Sequence, residues 1–152
     1  MKRKMILTPD MVSQSSTYLN PSLNGPQLAI DSDTGTGSHT TCQDGRYVWY
    51  KIRFVGERFV DKVVLINSFG NRQEIRMDGA TVAVLNGDEE NVCGTLSVTP
   101  DDDIQKYSIN CNNLRGDGVI LRGEEGRVEA CIHIREIQVF ETLYKGILVF
   151  LH

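Results

Sequence analysis

Apolar and polar residues alternate along most of the chain, and the 3.6-residue spacing of an amphipathic helix is scarce. In "YVWYKIRF" (47–54) Val48, Tyr50, Ile52 and Phe54 share one face. The segments "FVDKVVLI" (59–66), "ATVAVL" (80–85), "KYSIN" (106–110), "GVILR" (118–122) and "IHIREIQVF" (132–140) also read as strands. Short polar turns separate them: "VGER", "SFGN", "NGDEEN", "TPDDD", "RGDG" and "RGEEG". Strands joined by such turns, with no helical segment between them, predict an all-β antiparallel sandwich or barrel. The last strand breaks phase. Its apolar positions are even-numbered at Ile132 and Ile134, then odd at Ile137 and Val139, with the change at Arg135–Glu136. Such a break predicts a β-bulge, or a charged group aimed inward.

At 152 residues the chain is one domain with room for a sizeable core. A net charge of -4 gives no electrostatic footprint for nucleic acid. The basic cluster "MKRK" reads as a solvated tail. No apolar run follows "MKRK" to make a secretory signal, and no stretch is long enough for a membrane helix. "ILVFL" (147–151) is apolar and short: an edge strand, a docking tail or a truncation point.

The loop "DSDTGTGSHTTC" (31–42) concentrates the chemistry. Calcium takes about six to eight hard oxygens, and an Asp-x-Asp turn offers two carboxylates plus exposed carbonyls. Gly35 and Gly37 would let the backbone curl those carbonyls inward. Taken alone, Asp31 and Asp33 suit Asx turns better. Cys42, Cys93, Cys111 and Cys131 include no C-x-x-C pair, which argues against zinc. Two disulfides in an oxidising compartment, in any of three pairings, or four buried thiols would fit the count.

The succession "SQSSTY" (13–18), "LAIDSDTGTGSHT" (28–40), "WYKIRF" (49–54), "RMDGATVAV" (76–84), "CGTLS" (93–97), "INC" (109–111) and "REIQVFE" (135–141) resembles the F-type lectins, or fucolectins, over residues 11 to 141. The resemblance implies a galactose-binding, discoidin-like β-sandwich jelly roll that binds fucosylated glycans beside a structural Ca2+. The implied calcium ligands are Asp31, Asp33, Thr36 and Glu136, with carbonyl oxygens near Leu28 and Arg135. Glu136 sits at the phase break noted above.

The implied sugar contacts are one histidine and two arginines: Arg offers a rigid fork of donors, and neutral His an acceptor or donor. His39 takes the histidine position and Arg76, in "RMDGA", one arginine position. For the other, spacing from Trp49 points to Ser68 and the chemistry to Arg72 of "NRQE". In the Ser68 register a charged contact worth roughly 2 kcal/mol or more is missing. The family's adjacent cysteines in this loop are absent, and Phe69 or Ile75 would supply apolar surface instead. The resemblance also implies a Cys93–Cys111 bridge. Its second bridge carries over to Cys42 and Cys131, each shifted, which stay opposite if their segments run antiparallel.

Catalysis finds no support: there is no G-x-S-x-G, H-E-x-x-H or P-loop, His133 lies in a strand, His152 is terminal, and Asp101–Asp103 reads as a solvated turn. Arg115–Asp117 spells RGD, best read as a turn needing Gly and Asp. The leading reading is a secreted or extracellular, calcium-stabilised, fucose-binding lectin domain that is not an enzyme, either alone, as a homo-oligomer, or cut from a larger extracellular protein. The alternative is a protein- or phospholipid-binding adhesion domain with a degenerate sugar site on the same scaffold. Convergence of His39, Arg76 and Arg72 favours the first; exposed apolar loop tips at the same end favour membrane binding.

Overall fold

A computed structural model describes residues 1–67, 73–99 and 106–144. Eight strands form an antiparallel, curled sheet: β1 Lys2–Lys4, β2 Val12–Gln14, β3 Ser38–His39, β4 Trp49–Asn67, β5 Thr81–Asn86, β6 Glu89–Thr95, β7 Lys106–Arg122 and β8 His133–Thr142. Their order is β1-β8-β4-β7-β5-β6, with β2 also on β4 and β3 also on β8. The one α-helix among the described residues is a single turn, α1, Pro21–Asn24. The all-β sandwich expected from the alternation is the architecture found.

Two long strands make the sandwich. The first half of β4 pairs with β2 and with the second half of β7, and its second half pairs with β8 and with the first half of β7. The "VGER" and "RGDG" signals are therefore not turns. They are the corner where both strands bend from one layer to the other, marked by a register jump between Arg53 and Arg58 and by Gly56 at φ +75°. The RGD tripeptide lies within β7, where Asp117 holds Arg53 at 2.7 Å and Arg115 reaches Glu57 at 2.5 Å. Gly116 is required there, because a Cβ would stand 2.1 Å from the Leu85 carbonyl oxygen. Gly116→Ala is expected to cost about 1–3 kcal/mol, the range for overpacking, as a lower midpoint in urea unfolding; an unchanged midpoint would show that β5 yields freely at this corner.

The inward residues of both layers form one core. Val48, Tyr50, Ile52 and Phe54 meet Val82 and Val84, Val119 and Leu121, and Ile132, Ile134, Ile137 and Val139. "EENVCGT" (89–95), whose first three residues close the turn signal "NGDEEN", is strand β6; among the described residues it pairs only with β5 and exposes most of its residues, so no buried face marks it. The N-terminal residues also depart from the expected tail. Lys2–Lys4 pair with Thr142–Phe140 at the edge of β8, and Met5 is buried behind them. A solvated edge tolerates lysines, which is why the charge pattern hides this strand. The segment 147–151 lies outside the described residues.

Both bridges form as the resemblance implied. Cys93–Cys111 joins β6 to β7 at a Cα separation of 4.6 Å, and Cys42–Cys131 has a Cα separation of 4.4 Å. The second bridge sits where Thr40 and Gln43 run antiparallel to Ile132 and Ala130, so the two shifted cysteines stay opposite.

Candidate functional site

The phase break is a β-bulge. Ile66 pairs with Glu136 and Asn67 with Ile134, which leaves Arg135 as the extra residue. The bulge turns the Glu136 side chain to the buried side, and its Oε2 has no hydrogen-bond partner among the described residues. Opposite lies the acidic loop. Gly37 lets that loop touch β8, since a Cβ there would stand 2.7 Å from the Ile134 carbonyl oxygen. The loop's left-handed residue is Ser32, at φ +62°, and neither Gly35 nor Gly37 has positive φ; the curl expected from the glycines is made at Ser32.

Asp31 and Asp33 do form Asx turns: Asp31 Oδ1 accepts from Asp33 N at 3.0 Å, and Asp33 Oδ1 from Gly35 N at 2.8 Å. A second feature goes beyond turn making. The Thr36 hydroxyl lies 2.5 Å from Asp31 Oδ2, 3.0 Å from the Asp33 carbonyl oxygen and 3.5 Å from that of Leu28. One hydroxyl proton cannot serve three acceptors. Burial pushes the Glu136 carboxyl up to about 7, and the charges of Asp31 and Asp33 add to this while the Ser32 N–H and Lys4 oppose it. Oxygens thus outnumber the protons available to them, and the donors are of the hard kind that calcium takes. Among the described residues no three His, Cys, Asp or Glu side chains group closely enough to hold an ion by themselves, so Thr36 and the carbonyls would have to complete the shell. Arg135 sends its guanidinium to the Gly35 carbonyl at 3.2 Å, tying the bulge to the loop.

Two residues beyond Thr36, the chain enters β3. His39 pairs with His133 across β3–β8, and their rings lie 4.1 Å apart. Tyr18 covers the other face of His39 at 4.7 Å, held there because its N–H donates to the His39 carbonyl at 2.9 Å. His39 Nδ1 lies 2.5 Å from the Thr40 carbonyl, which only accepts, so the proton sits on Nδ1. Nε2 then remains as an acceptor, and no described residue donates to it.

Arg76 arrives on the 3₁₀ turn Gln73–Met77. Met77 anchors that turn in the core, and Asp78 fixes its exit by accepting from Val98 N at 2.8 Å and Arg127 Nη2 at 3.0 Å. The Arg76 charge is felt at both imidazoles. Burial is the main cause that lowers the His39 pKa, opposed by the Thr40 hydrogen bond and helped by Arg76. Burial also takes His133 down to about 3, with His39, Arg135 and Arg76 adding to the effect. Both rings are neutral at pH 7.

The Arg76 charge thus falls within electrostatic reach of His39 and His133, and His39 itself lies three residues past Thr36 of the acidic loop. Arg72, Ser68 and Phe69 lie outside the described residues. Tyr18 and His133 were not expected at the site: Tyr18 closes the quoted "SQSSTY", and His133 reads as an ordinary strand residue until β3 is known to pair with β8. Next to Tyr18, Leu19 and Leu23 are largely exposed, on a loop tied down by Asn24 Nδ2 to the Tyr18 carbonyl at 2.8 Å.

No protein family matches the sequence by profile, and no curated protein matches it. Solved structures do resemble it. The chain is similar to an F-lectin (fucolectin) from the serum of Morone saxatilis, the striped bass, at a TM-score of 0.72 and 18% identity, over 88% of this chain and 46% of that one. It thus spans less than half the length of the fucolectin chain. A Streptococcus pneumoniae fucose binding module, SpX-3, matches at 0.70 and 18% identity, over 94% of this chain and 99% of that one. The family 32 CBM of C. perfringens NanJ, solved with galactose, matches at 0.71 and 14% identity, over 93% and 100%. At these identities the likeness is one of fold, and the fold is the discoidin-like β-sandwich.

Proposed function

We propose that this chain is a calcium-stabilised carbohydrate-binding domain of the F-type lectin kind, selective for fucosylated glycans, that acts by binding and not by catalysis. The observation that carries this is a neutral imidazole whose Nε2 is left as an acceptor by the Nδ1 contact with the Thr40 carbonyl, with the Arg76 charge within electrostatic reach of it. Sugar hydroxyls both donate and accept, and such a pair answers both needs. Asp31, Asp33, Thr36 and Glu136, with the carbonyls of Leu28 and Arg135, would hold the calcium ion. The ion would supply positive charge that locks the acidic loop to the β8 bulge; this chain's residues make the sugar contacts. The solved structures of like fold, described as fucose binding or in complex with galactose, support a sugar as ligand. Two disulfides support a secreted or extracellular setting, where several copies would gain avidity.

A glycan array probed with the oxidised protein, in calcium and again in EDTA, tests the reading. Calcium-dependent binding confined to terminal fucose is expected. Binding to no glycan by folded, calcium-loaded protein would end it. The adhesion reading retains one observation in its favour, the exposed Leu19 and Leu23 beside the site. Co-sedimentation with phosphatidylserine vesicles, lost in Leu19→Ser/Leu23→Ser, would establish that alternative.

A further inference from the structure

We propose that His133 is a positioning residue for ligand recognition: its ring backs His39 across the β3–β8 pair and holds that imidazole in the orientation that keeps Nε2 free as an acceptor. The inference rests on the carbohydrate-binding reading for its purpose, though not for its geometry.

His39 is held from three sides. Tyr18 stacks on one face at 4.7 Å, His133 lies against the other at 4.1 Å and 34° between planes, and the Thr40 carbonyl takes the Nδ1 edge at 2.5 Å. Tyr18 is 43% exposed and sits on a loop, so it is the looser wall. His133 belongs to β8, which β4 supports along most of its length. The direct pairing of His39 with His133 fixes the distance between their Cβ atoms and so seats the rings together. Without the His133 ring, the imidazole of His39 gains room to turn about its second side-chain torsion, a broad and soft rotation. The acceptor edge would then spend part of its time away from the ligand. The His133 Nδ1 atom is buried and has no partner among the described residues, so this nitrogen is sealed from solvent and from ligand alike. The role of His133 is therefore carried by its ring and not by this nitrogen.

Three forms of the oxidised, calcium-loaded protein test the assignment: wild type, His133→Ala and His133→Phe. The first readout is the pair of side-chain 15N shifts of His39, which report the tautomer and its averaging without any ligand. The second is the affinity for free L-fucose. In His133→Ala the His39 shifts should move toward the averaged values of a mobile imidazole, and affinity should fall about fivefold to tenfold, the scale of one aromatic stacking contact. His133→Phe keeps a ring at the same place and should restore both. His39 shifts unchanged in a folded His133→Ala variant would overturn the proposal, and so would a folded His133→Phe variant as impaired as the alanine. If the wild type binds no sugar, the carbohydrate reading fails, while the 15N shifts still decide whether His133 holds His39.

Discussion

Arg76→Ala is expected to abolish measurable fucose binding, a loss of at least about thirtyfold at the roughly 2 kcal/mol typical of a truncated hot-spot contact. The fold should survive. Arg76 is half-buried on a short 3₁₀ turn whose anchors are its neighbours: Met77 packs in the core, and Asp78 takes the hydrogen bonds that fix the turn's exit. The melting temperature should therefore stay near that of the wild type. Arg76→Lys keeps the charge and loses the fork, so it should recover only part of the affinity.

His39→Gln probes the acceptor. The amide preserves an acceptor on a similar stem but loses the stacked ring, and an intermediate affinity is expected. The same histidine sets a pH dependence. Its pKa lies below the usual 6.5 because burial disfavours the charged ring, so His39 is neutral at pH 7. Protonation turns Nε2 from acceptor to donor. With calcium kept saturating, so that Glu136 stays ionised, affinity should be flat from about pH 8 to about 6.5 and then fall as acidification carries His39 through its depressed pKa. Affinity that instead rises on acidification would mean that the charged ring is the binding form, and Nε2 could not then be the acceptor.

How much of this site the sequence discloses depends on how local each feature is. Strand faces are local, and alternation at Val48, Tyr50, Ile52 and Phe54 names the core side correctly. The β8 bulge is local too, since one extra residue must shift the apolar phase. Continuity of β4 and β7 is not local. "VGER" and "RGDG" carry turn residues because the chain bends there, and nothing in composition separates a bend within a strand from a turn between two. The polar edge strand β6 has no buried face to mark it, and β1 is marked as little by its lysines. Tyr18 and His133 escape for another reason. Their chemistry exists only after β3 sets His39 against His133, a pairing between residues 94 positions apart, and after the loop from β2 lays Tyr18 over His39.

Removing calcium is expected to destabilise the protein in a way that depends on pH, and Glu136 sets the sign. Burial first, then the charges of Asp31 and Asp33, raise its folded pKa to about 7 from an ordinary 4.5. Between these values the metal-free folded state keeps a proton that the unfolded chain has lost. Stability of the metal-free protein therefore falls as pH rises through that window, and Glu136 is ionised, buried and short of partners above it. A calcium ion bound there would reverse the balance by neutralising that carboxylate. Its stabilisation should be slight at about pH 5, where the proton competes for Glu136, and should grow to roughly 5–10 °C at about pH 8 with the ion at a hundredfold over its Kd. Calorimetry of the oxidised protein in calcium and in EDTA, at both pH values, makes the comparison. Glu136→Gln sharpens it. A glutamine has no charge to desolvate, so in EDTA at about pH 8 this variant should be at least as stable as the wild type, yet calcium should no longer raise its melting temperature. A carboxylate with a purely structural role behaves in the opposite way: its loss destabilises the protein with or without the ion. Equal melting temperatures for the wild type in calcium and in EDTA at about pH 8 would remove the metal from the account and leave the Thr36 oxygens to water.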